Sequence, residues 1–62
     1  MYKIQSFVGD GENSLSNAIN LAERDLLAWL HDKEDITVAA MSTELLQSNP
    51  YIYIITICYK VA

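Results

Sequence analysis

Tyr51-Ile52-Tyr53-Ile54-Ile55-Thr56-Ile57-Cys58-Tyr59-Lys60-Val61 is apolar on both faces of the strand it must form. Side chains alternate across a sheet, so Ile52, Ile54, Thr56 and Cys58 share one face. Tyr51, Tyr53, Ile55, Ile57, Tyr59 and Val61 share the other. The remainder of the chain supplies one helix, enough to cover one of these faces. An uncovered apolar face in water is uncommon on a monomeric soluble protein. The other face is therefore expected to meet a second subunit or a ligand, which makes the chain a homo-oligomer.

Working back from this strand, Asn49-Pro50 is a turn signal that fixes the approach to it. Residues 44–50 read as a connection, and Ile36-Thr37-Val38-Ala39-Ala40-Met41-Ser42-Thr43 as a strand that opposes Ile36, Val38 and Ala40 to Thr37, Ala39 and Met41. Asp32-Lys33-Glu34-Asp35 is a short charged link. Before it, Leu15, Ala18, Ile19, Ala22, Leu26, Trp29 and Leu30 fall at offsets of 3, 4, 7, 11, 14 and 15, one continuous apolar stripe on a helix over residues 14–31. Leu21 and Ala28 widen the stripe, and Leu27 stands off it among polar neighbours, pointing to a second contact surface. Asn13 or Ser14 is the expected N-cap. The run Gly9-Asp10-Gly11-Glu12-Asn13 reads as a turn, its acids placed where the positive helix end favours them. Residues 2–8 form the opening strand, with Tyr2, Ile4 and Val8 opposed to Lys3, Gln5 and Phe7.

The expected fold is α+β with order β-α-β-β over a single domain, residues 1–62. The first and second strands run parallel in a right-handed crossover and the second and third form an antiparallel hairpin. The third strand, the most apolar, takes the centre, which gives a three-stranded sheet of order 1-3-2 with the helix on one face. The open face is expected to carry Lys3, Gln5, Phe7, Thr37, Ala39 and Met41 with one of the two sets from the third strand. If that set is the tyrosine-rich one, the protein presents a tyrosine–isoleucine stripe with cations at one margin.

Sixty-two residues bury a modest core, and chains this short usually add disulfides, metals or oligomerisation. Cys58 is the sole cysteine, so no internal disulfide forms, and Cys58 with His31 cannot fill a four-ligand zinc site. Oligomerisation remains, in agreement with the two-faced strand. The formal net charge of −4, from 4 basic and 8 acidic residues, opposes binding to nucleic acid or to an anionic membrane. No apolar stretch reaches the length of a membrane-spanning helix and no signal pattern opens the chain, so a cytoplasmic location is expected.

Tyr51, Tyr53 and Tyr59 are the leading binding candidates, with Phe7 on the neighbouring strand and Lys3 and Lys60 at the sheet ends. Aromatic rings offer flat stacking area with a polar tip, suited to a small aromatic or nucleotide-like ligand. The same rings also suit plain subunit contacts, so both uses stay open. Gly9-Asp10-Gly11 lacks the spacing of a dinucleotide fingerprint and the Lys-Ser/Thr of a P-loop, and its acids would repel phosphate. His31 has no sequence-near acid or nucleophile, and Cys58 between apolar neighbours reads as a small hydrophobe. No catalytic residues, no metal ligands and no cofactor are assigned.

The β-α-β-β order at this length resembles dodecin, a small family that assembles into hollow shells and stores flavin between sheet faces. Dodecins stack flavin on a tryptophan of the second strand. Residues 36–43 contain none, and Trp29 lies on the helix, so the resemblance implies the topology without the flavin site. The opening charged strand, the helix start Leu15-Ser16-Asn17-Ala18-Ile19-Asn20 and the closing strand ending in Tyr59-Lys60 resemble a second family. These are short sporulation-associated proteins of spore-forming bacteria, with relatives in the phages of those bacteria. That resemblance implies the same fold and carries no assigned active site.

The reading is a non-enzymatic homo-oligomer that binds or sequesters a small ligand in pockets between subunits. The competing reading is a protein–protein interaction module or small inhibitor that docks on a larger partner.

Overall fold

The computed structural model describes residues 1–33 and 35–62; Glu34, within the expected charged link, lies outside the described residues. Four elements follow in order: β1 (Tyr2–Glu12), α1 (Leu15–His31), β2 (Ile36–Ser48) and β3 (Tyr51–Val61). The sheet order is β1-β3-β2, and β3 pairs antiparallel with both neighbours, so β1 and β2 run parallel with β3 between them. This is the expected α+β fold.

Residues paired across a sheet share a face, and the registers define rows through all three strands. One side carries Lys3–Tyr59–Val38, Gln5–Ile57–Met41, Phe7–Ile55–Thr43 and Gly9–Tyr53–Leu45. The other carries Tyr2–Lys60–Thr37, Ile4–Cys58–Ala40, Ser6–Thr56–Ser42, Val8–Ile54–Glu44 and Asp10–Ile52–Gln47. The Ser6 and Thr56 hydroxyls bond across the second set at 3.1 Å.

The helix lies on the first set, over β1 and β3. Its own apolar stripe meets Phe7, Ile55, Ile57 and Tyr59, and Leu26, Trp29, Ile36 and Tyr53 close around them. Trp29 stands edge-on between Phe7 (centroids 5.7 Å apart) and Tyr59 (4.9 Å). Such pairs contribute about 0.5–1.5 kcal/mol each beyond the area they bury. The Lys33 ammonium lies 5.4 Å from the Trp29 ring centroid. Ser14 is the N-cap, its hydroxyl accepting from the Asn17 N–H at 3.3 Å.

Why the helix chooses this side is settled on β1. By hydropathy alone the other side, with Tyr2, Ile4 and Val8, is the better partner. The chosen side instead has Gly9 and Gly11 in line with Phe7. A Cβ at Gly9 would stand 1.9 Å from the Ala18 carbonyl oxygen, and one at Gly11 would stand 2.2 Å from that of Ser14. Ala18 and Ala22 face these glycines and are fully buried, 0% exposed. Close approach of backbone to backbone, open only where side chains are absent or small, decides the face.

Three expectations are corrected by this geometry. The glycines are not turn residues: neither has a positive φ, and β1 runs four residues past Val8 to Glu12. The reversal falls on Glu12 (φ 56), whose N–H donates to the Asp10 carboxylate at 3.0 Å, and on a Ser14 N–H to Gly11 carbonyl bond of 2.9 Å. No acid occupies the first helical turn. Second, residues 44–48 continue β2 rather than connecting it, which leaves Asn49 and Pro50, joined by a cis peptide bond, as the turn. Third, Lys3, Gln5, Phe7 and Met41 lie on the helix side and not on the open face. Phe7 is buried in the core at 7% exposure. The register shift between Val38 and Ala40 sets Ala39 out of the ladder, so Val38 and Met41 share a side that strict alternation would deny them.

Candidate functional site

The molecule is a thin plate of 39 × 18 × 10 Å. Its accessible surface of 4433 Å² exceeds the roughly 4,000 Å² expected for a globular chain of this mass. Bare apolar side chains line both sides of the sheet, in two places.

The first is the β2 half of the helix side. The helix packs mainly on β1 and β3, so along β2 Val38 (opposite Tyr59), Met41 (opposite Ile57, 61% exposed) and Leu45 (opposite half-buried Tyr53, 43% exposed) stand bare. Tyr51, also half-buried, follows at the end of the same face, opposite Ser48. The second is the side without a helix, where Ile4 (73%), Tyr2 and Val8 are exposed and Ile52, Ile54 and Cys58 are half-exposed. A shallow depression of about 150 Å³ opens there, lined by Ile4, Ala40, Thr56 and Cys58 among others.

The residues expected to bind a ligand divide. Tyr51 and Tyr53 sit together on the helix side next to Leu45. Tyr59 lies about 20 Å along the strand from Tyr53, by strand rise. It is 9% exposed and held under Trp29. Tyr59 and Phe7 are core residues, and the tyrosine stripe reduces to Tyr51 and Tyr53. Lys3 and Lys60 are exposed but belong to rows on opposite sides of the sheet, so one subunit does not bring them to one ligand.

A wider concavity, about 650 Å³, lies elsewhere, between the end of β1 and the outward face of α1. Asp10, Glu12 and Glu23 line it against a single cation, Arg24, with Leu21 and Leu27 between. It is open to solvent and its carboxylates are exposed, so it offers a polar groove rather than an enclosed binding chamber. His31 is exposed at the end of α1, while Cys58 projects from the side of the sheet that has no helix; the sheet itself separates them. Among the described residues no three His, Cys, Asp or Glu side chains gather as a metal site. Among the same residues no helix is long and apolar enough to cross a membrane.

Met41 and Leu45 are the site residues that sequence reasoning missed. Leu45 fell in a stretch read as a connection, and Met41 was placed on the wrong side by the unseen bulge. One signal could have found Leu45: Leu45-Leu46 ahead of a tight Asn-Pro turn extends the hairpin to the length of the strand it pairs with. No protein-family model, curated protein or solved structure matches the chain.

Proposed function

We propose that the protein is a non-catalytic homo-oligomer that holds a small planar ligand, aromatic or nucleotide-like, between its subunits. One observation carries the reading: the core is a thin layer under one helix, while bare apolar rows flank it on both sides of the sheet. Burial of such rows stabilises by about 25 cal/mol per Å², and a second subunit is the partner always present. Tyr51 and Tyr53, half-exposed at the Leu45 end of the bare strip, supply rings at its margin, where a flat ligand can stack with its polar edge toward water. The acidic balance of the chain favours neutral or cationic ligands over anions, so within the nucleotide-like class a base or nucleoside fits better than a phosphorylated form.

Native mass spectrometry of freshly purified protein, compared with a denatured sample, tests this. The expected result is a discrete oligomer carrying extra mass that is lost on denaturation. Tyr51→Ser with Tyr53→Ser should remove that mass while leaving the far-ultraviolet helix signal in place. A stable monomer refutes the reading and makes the bare faces docking surfaces for a different protein.

A further inference from the structure

The bare strip borders an edge strand. β2 spans thirteen residues, and its outer edge has no partner among the described residues. Natural edge strands are usually blunted by short length, proline, lysine, β-bulges or a covering helix or loop. Of these β2 has only two bulges: it is the longest strand here, Glu44 is its one charged residue, and α1 packs mainly on β1 and β3. Both of its register shifts, at Ala39 and at Leu46, fall toward its ends, which leaves Ala40–Leu45 as a regular ladder.

We infer that this edge pairs with the same edge of a second copy, antiparallel about a two-fold axis at Thr43, to make a six-stranded sheet. The inference rests on the homo-oligomer reading and specifies its interface. A two-fold relating antiparallel edges stands perpendicular to the sheet, so both helices fall on the same side. Facing residues must then share that side, which restricts the register to pairings between Met41, Thr43 and Leu45. Centring on Thr43 sets Met41 opposite Leu45 of the partner subunit twice over and Thr43 opposite its own copy. The Thr–Thr pair is a favourable cross-strand pair, and the Met–Leu pairs bury apolar surface. Glu44 then faces Ser42 of the partner subunit, so no like charges stand directly opposite.

The pairing also builds a site. Each helix lies over β1 and β3, so the two helix axes stand about four strand spacings apart, roughly 19 Å. Helices about 10 Å in diameter leave a trough of about 9 Å between them. Its floor is Met41, Thr43 and Leu45 from both copies, with Tyr53 of each at the margins. An aromatic ring system fits that width, and neither subunit makes the trough alone.

Hydrogen exchange on the wild-type protein, read by NMR after native mass spectrometry has fixed the subunit number, tests the pairing. In an isolated subunit only every second β2 amide, those bonded to β3, is protected. The expected result is consecutive protection from residue 40 to residue 45, with the outward amides slowed on the order of 100-fold or more. In a Cys58→Ser background, Thr43→Cys should cross-link between subunits with a short bismaleimide far better than Val8→Cys does. An oligomer whose alternate β2 amides exchange freely overturns this inference and leaves the homo-oligomer reading standing. A monomer overturns both. A protected β2 in an assembly without bound mass counts against the ligand and supports the pairing.

Discussion

Gly9→Ala is the sharpest test of how the helix is seated. The added methyl would stand 1.9 Å from the Ala18 carbonyl oxygen and 2.8 Å from the Ala22 nitrogen, both backbone atoms. Neither can rotate away, so α1 must retreat by about 1.5 Å to restore an ordinary contact of 3.4 Å. A gap of 0.5–1 Å already forfeits about a quarter to a half of the dispersion attraction along the contact. Overfilling a close-packed site costs typically about 1–3 kcal/mol, occasionally more, and this one shifts a whole helix off Phe7, Ile55 and Ile57. We expect about 3 kcal/mol or more, against a total of about 3–9 kcal/mol for a chain of this length. At about 4–8 °C per kcal/mol, the midpoint should fall by at least ~12 °C. Thermal and urea unfolding followed by circular dichroism, at fixed protein concentration, measures it. Because the obstruction is backbone, adding Ala18→Gly should not restore stability. Gly9→Asn separates close approach from turn chemistry: a glycine needed for a left-handed backbone tolerates Asn better than Ala, whereas one needed for space tolerates it worse. A Gly9→Ala midpoint within ~2 °C of wild type, or Asn milder than Ala, would refute the argument.

Two further substitutions probe the cap and the core. Ser14→Ala removes the hydroxyl that accepts from the Asn17 N–H and should cost about 1 kcal/mol, read as a small drop in the urea midpoint with an unchanged slope. Tyr59→Ser strips a buried ring from beneath Trp29 and should cost about 3–5 kcal/mol, as aromatic truncations in cores do. The unfolding midpoint should then fall by at least ~12 °C, followed by loss of the helix signal and a red shift of Trp29 emission. Folded Tyr59→Ser protein that has lost only a ligand would return Tyr59 to the binding surface.

Element order and strand order were legible because two signals were strong. The Leu15 to Leu30 stripe admits only a helix, and a strand apolar on both faces belongs at the centre of a sheet. Strand ends were less legible. Gly9-Asp10-Gly11 has the composition of a turn, and only the helix lying against it shows that the missing side chains matter more than the backbone freedom. The sides of β1 and β2 were misassigned for two separate reasons. On β1, contact distance outweighs hydropathy. On β2, the residue set out of the ladder at Ala39 leaves no mark in composition yet reverses the alternation beyond it. The candidate site inherited these errors: Tyr59 and Phe7 belong to the core, and Met41, expected on the open face, and Leu45, expected in a connection, join the bare strip on the helix side.

The central position of β3 has a consequence for how the sheet can form. β1 and β2 touch no strand but β3, so neither has a partner until residues 51–61 are available. The first of those pairings joins Tyr2 to Lys60, nearly the full chain apart. Loop closure over that distance comes before any reward from pairing, so the β1–β3 half of the sheet is intrinsically slow to nucleate. The β2–β3 hairpin, closed by two residues, is the part that can form early. A chain emerging from a ribosome can wind α1 at once, but it holds β1 unpaired until the strand at the other end arrives. Any shortened form lacking residues 51–61 keeps its helix sequence and loses every rung of its sheet.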